Sequence, residues 1–343
     1  MRSNGVLYPG ERPVAHFLAS MDLRGAGFGG HDYPGAKGMW ATVAKEVNQY
    51  AGSAVISHET LARTRRKVIK HAVDSFDTDD VRVVLTTRDL ARQIPAVWQE
   101  NVKNRNDQSY AEFLHDVLVG VARKRPRPGL PDIVPASSFW RPQNLPNLVK
   151  RWSHVVGPGN VILVTVPPPG APRDELWNRF ATATELPDLP YTFELESENV
   201  SLGAAEAELL RRIIPHVGSE IDWPKWENRV KRRFAERTLA PARTQGRIVV
   251  PEAWHEAVTE LSEQMITTLQ VPGIQVVGDL DDLRPRFETA DGPLPDEVTD
   301  TELLESALVV LAKMAGAAPA PPRSIRLASR GVADRLKEKF RRD

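Results

Sequence analysis

VRVVLTTRDLARQIPAVWQENVKN (81–104) decides how this chain is read. Its first seven residues are an apolar, β-branched run of the length of one buried strand. Arg88 and Asp89 follow at once and open a helical segment, 88–104, in which Pro95 implies a kink or a late start. A strand that ends on charged residues and passes into a helix places chemistry at a helix N-terminus. An arginine there can grip a phosphate through its planar fork. The competing reading is a salt bridge from Arg88 to Asp89.

The pattern repeats on either side. AVISH (54–58) reads as a buried strand, followed by a helix over 59–76. NVILVTVPPPG (160–170) is a third apolar strand, ended by three prolines, and GVLYPG (5–10) is a short strand running into a Pro-Gly turn. Helical spacing marks 15–24, 39–51, 109–121, the end of 135–157, 174–184, 201–217, 223–239 and 251–269, and IQVVGDLDDL (274–283) reads as a strand with a loop. In 201–217 the stripe Leu209, Leu210, Ile213, Ile214, Val217 is apolar, and Glu208 stands four residues before Arg212. Strands alternating with helices predict an α/β fold, a three-layer parallel sheet flanked by helices. Ligands of such sheets bind at the carboxyl ends of the strands. His58, Arg88 and the turn 167–170 would share that edge.

Ser57-His58-Glu59 closes the 54–58 strand. A histidine there can act as a general base, since its ordinary pKa lies near neutrality; in the bland reading Ser57 or Glu59 caps the next helix and His58 packs against a loop. Trp98, Trp140, Trp152 and Trp177 are expected to pack helices. The expected domains are an α/β unit over 1–285, a helical extension over 286–316, and over 317–343 a stiff linker, AAPAPP (317–322), with a basic helix able to contact a protein or a membrane surface.

Of the 343 residues, 41% are apolar and 26% charged, and 45 Lys+Arg balance 45 Asp+Glu. That neutrality argues against a dedicated nucleic-acid binder. The chain has no cysteine, which excludes thiolate catalysis, disulfides and cysteine-based zinc sites and fits a cytoplasmic location. No stretch is apolar for long enough to cross a bilayer. The eight histidines show no metal-ligand spacing, so no metal is expected. There is no GxxxxGK[ST] loop, no GxGxxG after a strand and no GxSxG elbow; GAGFGG (25–30) precedes a loop instead of opening a helix.

Taken as a series, GVLYPG, AVISHETLA, VRVVLTTRDLARQIPAVWQENVKN, FWRPQNLP with the later RW, VILVTVPPPGAPRDELWNRF and NVSLGAAEAELLRR resemble a bacterial sulfotransferase-family protein over roughly residues 1–285. The resemblance implies a P-loop-like α/β fold and transfer of a sulfuryl group from 3'-phosphoadenosine-5'-phosphosulfate, without a metal, to a hydroxyl or amine of a small or lipid-like acceptor. It places the proton-accepting residue at His58, with Glu59 orienting or replacing it. It places the 3'-phosphate at Arg88, with Ser57 beside the cofactor.

Two departures follow. The family serine stands eight positions after the arginine, where this chain has Ala96; Ser109 or a backbone amide would have to substitute. No PKxGTT-like phosphosulfate loop is present, so the first strand and its loop are expected to be missing. Since the helical stripes and motif strands are intact, the favoured expectation is a true start upstream of Met1, by about the length of one strand-loop-helix unit. The alternative is a truncated homologue that binds a nucleotide or a protein without catalysis.

Overall fold

Val161–Thr165 (β4) is buried along its whole length, as its unbroken apolar run requires. In the computed structural model, which describes residues 4–12, 14–25, 27, 33, 35–119, 139–187, 201–217, 221–243, 246–270 and 272–316, β4 is the middle of a parallel three-stranded sheet. It pairs with Val83–Thr87 (β3) on one side and Gln275–Val277 (β5) on the other. Alternate side chains face opposite layers. Val161 and Leu163 join Leu148 and Trp152 of Leu145–Val156 (α7) and Ile266 of His255–Leu269 (α11), whereas Ile162 and Val164 meet Ala183 and Leu176 of Glu175–Ala183 (α8). Helices thus cover both faces of this sheet.

A second parallel sheet has two short strands, Val6–Leu7 (β1) and Ser53–Ala54 (β2), lengthened by the Val55 amide donating to the Leu7 carbonyl at 2.9 Å. Ala15–Arg24 (α1) and Met39–Asn48 (α2) pack beside it around Leu23, Trp40 and Val43. The two sheets are not continuous. Among the described residues, β3 pairs only with β4, and β2 only with β1.

The expected single helix over 59–76 is two pieces. Glu59–Arg63 is a 3-10 turn, Thr64 and Arg65 are extended, and Arg66–Asp74 (α3) follows. The break has a tertiary cause. Arg151 of α7 donates to the carbonyls of Thr64 (2.6 Å) and Ala62 (2.9 Å), holding open oxygens that a continuous helix would use internally.

The rest is helical. Leu90–Lys103 (α4) starts at Asp89, whose side chain accepts from the Arg92 amide, and carries Pro95 in its interior. Tyr110–Leu118 (α5) starts at a Ser109/Glu112 capping box. Trp140–Gln143 (α6) leads into α7. Ala204–Val217 (α9), Trp223–Lys225 (α10) with its π-helical continuation Trp226–Leu239, and Asp300–Met314 (α12) close over α4 and α5. Trp98 and Trp140 lie in this core, and Trp152 in the core under β4. Glu208, which pairs with Arg212 as expected, also holds Arg211. Leu303 and Val310 of α12 enter the same core. The linker and basic segment expected over 317–343, and much of the loops over 24–38 and 125–147, lie outside the described residues. Among the described residues no helix is long and apolar enough to cross a membrane.

Candidate functional site at the split between the sheets

The gap between the two sheets is a cavity of about 1950 Å³. Residues 52–63 line one wall and residues 80–88 the other, so a lengthwise edge of each sheet faces the same space. Val83, Val84 and Leu85 are only half-buried there, although β4 beside them is fully buried. An open, apolar parallel edge of this kind exposes unpaired backbone donors and acceptors. The volume exceeds the several hundred Å³ usual for one small ligand.

His58 stands at the carboxyl end of the 52–58 wall. Its side chain is 19% exposed, whereas that of Glu59 is 83% exposed. The His58 Nδ1 lies 2.8 Å from the Thr60 Oγ1, and that hydroxyl lies 2.5 Å from the Ser20 Oγ, which donates to the Phe17 carbonyl at 2.8 Å. The Thr60 amide donates to Nδ1 at 3.2 Å, so in this arrangement the neutral ring carries its proton on Nε2. The other tautomer, with Nδ1–H donating to the Thr60 Oγ1 and that hydroxyl to Ser20, gives up the amide bond and leaves Nε2 able to take a proton. Glu59 Oε2, at 3.3 Å from Nδ1, supports the protonated-Nδ1 tautomer weakly, because it is nearly all in water. Burial pushes the His58 pKa below its usual value; the Glu59 charge opposes this, and His16 and Arg24 add to it.

His16, which no local pattern marks, holds this segment in place. It is buried on α1, its Nε2 lies 2.8 Å from the Pro9 carbonyl, and its Nδ1 accepts from the Ser57 amide at 3.0 Å. One imidazole thereby ties the end of β1 to the end of the 52–58 wall. Ser57 uses its amide for that tie and is exposed on the cavity wall.

Arg88 stands at the end of β3 on the other wall. The salt bridge to Asp89 that the sequence allowed is not made. Asp89 pairs with Arg92 instead, and Arg92 also donates to the Pro167 carbonyl at 3.0 Å. Arg88 gives one hydrogen bond, to the Arg92 carbonyl at 3.0 Å, and its buried Nε has no partner. A guanidinium on a cavity wall that spends a single N–H on the protein suits an oxyanion. Ala96 also lines the cavity, with no hydroxyl to add. Ser109 is corrected as its substitute: it is spent as the α5 cap, accepting from the Glu112 amide at 3.2 Å.

Among the described residues no cluster of His, Asp and Glu could hold a metal ion. Comparison with family models, curated proteins and solved structures finds no match.

Proposed function

We propose that this chain is a cytoplasmic sulfotransferase with a P-loop-like α/β fold, acting on a small or lipid-like hydroxyl or amine. The observation that carries the reading is that His58 and Arg88, at the ends of strand segments that are not paired with each other, line one cavity, and that Arg88 gives only one hydrogen bond inside the protein.

In this reading Arg88 holds the 3'-phosphate of 3'-phosphoadenosine-5'-phosphosulfate. The His58 Nε2 accepts the acceptor's O–H proton as that oxygen bonds to sulfur. The bond from sulfur to the 5'-phosphate oxygen breaks, and 3'-phosphoadenosine-5'-phosphate leaves. Stabilising the charge that builds on the sulfuryl group needs further donors. The reading requires one more strand with a phosphate loop in the gap between the two sheets. A strand entering the gap parallel to β2 and β3 would bring its following loop to the edge that holds His58 and Arg88. The apolar open edges at 52–58 and 83–87 support that placement.

Ala96 and the absent loop favour a second reading, a homologue that binds nucleotide or protein without transfer. Incubating the upstream-extended chain with labelled donor and a panel of hydroxylated acceptors separates the two. Transfer that is lost in His58→Gln supports the first; nucleotide binding with no transfer to any acceptor supports the second.

A further inference from the structure

The helix α12 is apolar on two opposite sides. Leu303 and Val310 face the core, with Ser306 buried between them. Leu304, Leu308, Leu311 and Met314, at steps of four, three and three, lie on the outer side, each 56–64% exposed. They are four of the seven large apolar side chains exposed among the described residues. A surface helix keeps its outer side polar; one that is apolar all round is a covered helix.

Size and the adjoining chain decide what covers it. Four side chains on one helix bury far less than the roughly 1,200–2,000 Å² of a stable complex between separate chains. A tethered partner needs less, because a short linker holds it at an effective concentration on the order of mM. Past Gly316 the sequence runs through AAPAPP (317–322) into RSIRLASRGVADRLKEKFRRD (323–343), outside the described residues. In that sequence Ile325, Ala328, Val332, Leu336 and Phe340 stand at steps of three and four, the spacing of one helical face. From Ile325 to Phe340 a helix would run about 22 Å, the length of α12. Gly331 lowers the helix propensity, so such a helix needs an apolar partner to form. The six linker residues reach about 19 Å, enough to turn the chain back onto a helix whose axis lies about 8–10 Å away.

The charges agree with that direction. In α12 Asp300, Glu302 and Glu305 stand in the first half and Lys313 in the last turn. Residues 323–343 hold eight Lys and Arg against three Asp and Glu, and a returning helix would bring Arg335, Lys337 and Lys339 alongside the acidic half. An anionic membrane would attract those basic residues but repel the carboxylates beside the stripe.

We propose that residues 323–343 fold back as a helix antiparallel to α12 and cover its outer stripe, with Leu336 against Leu304, Val332 against Leu308 and Ile325 against Met314. The docking is independent of the cavity and of sulfuryl transfer.

The chain has no cysteine, so introduced thiols are its only ones. The test places Leu308→Cys in the full chain together with either Val332→Cys or Arg330→Cys, and follows disulfide formation under mild oxidation by mass. Leu308 is exposed, so replacing it does not threaten the fold. Positions 330 and 332 have nearly the same tether but lie on opposite sides of a helix. The 308–332 bond is expected within single chains, about tenfold or more faster than 308–330. Equal rates for the two pairs, or bonds that join two copies, overturn the docking. As a second readout, trypsin is expected to cut within 323–343 about tenfold faster in Leu308→Asp than in the wild-type chain, because cleavage follows the population of the undocked segment. Equal cleavage rates overturn it. So does wild-type binding to vesicles of phosphatidylserine and phosphatidylcholine that Leu308→Asp abolishes, which would put a membrane on the stripe instead.

Discussion

Asp89 gives its carboxylate to Arg92, so the neighbouring Arg88, on the cavity wall, feels the Asp89 charge without forming an ion pair. Asp89 is buried and also caps α4 through the Arg92 amide at 3.0 Å. Asp89→Ala removes a cap and strands a partly buried guanidinium. It is expected to destabilise the fold by about 1–3 kcal/mol in urea denaturation. Arg88→Ala, which removes one hydrogen bond to the Arg92 carbonyl and a donor left without a partner, is expected to cost no more than about 1 kcal/mol. Equal losses in the two variants would mean that Arg88 is a structural residue.

Ala96 stands on the cavity wall on the same helix that Arg88 introduces. A hydroxyl there would add one hydrogen bond to a charged acceptor. Ala96→Ser is expected to tighten nucleotide binding by about 1.5–3 kcal/mol if Arg88 grips a phosphate. No change in affinity would place the phosphate elsewhere.

His58 must be neutral to accept a proton. Because burial lowers its pKa, the rate of transfer by the upstream-extended chain is expected to be flat through neutrality and to fall only below the ordinary histidine value of about 6.5. Glu59→Gln removes the charge that favours the imidazolium, so the acid limb should move to still lower pH with little change on the plateau. His58→Gln is expected to lose about 10²–10⁴ in rate. An acid limb that moves upward in Glu59→Gln would show that Glu59, not His58, is the base.

His16 links stability to pH. Burial depresses its pKa in the folded state, against the favourable contacts to Pro9, Ser57 and Glu46. The unfolded chain therefore takes up the proton first. Stability from this group is complete above about 6.5 and is lost as pH falls through the folded-state value. His58 shifts in the same direction and adds to the effect. His16→Asn should flatten the acid limb of a melting-temperature profile, while His71→Asn, at an exposed position, should leave it unchanged. A profile equally steep in His16→Asn would remove His16 from this role.

The elements set by local rules were legible in the sequence. Asp89 and Ser109 cap the helices they precede, and the apolar run of β4 is buried throughout. What was not legible depends on partners distant in the chain. The helix over 59–76 breaks because Arg151 takes the Ala62 and Thr64 carbonyls. Of AVISH (54–58) only Ala54 is strand, with one further ladder bond from the Val55 amide, because its other edge faces the cavity with no strand beside it. At the site, His58 and Arg88 were marked by their places at strand ends. Thr60, which bonds the His58 ring, Ser20, which bonds Thr60, and His16, which holds the Ser57 amide, sit inside helical or capping patterns with no local signal.

The most direct measurement is calorimetric titration of 3'-phosphoadenosine-5'-phosphate into three proteins: the chain as given, the chain extended upstream to supply one more strand and loop, and the extended chain carrying Arg88→Ala. The account predicts binding by the extended chain, weakened about tenfold or more by Arg88→Ala, and little or none by the chain as given. An extended chain that does not bind the nucleotide, or binds it equally without Arg88, would contradict it.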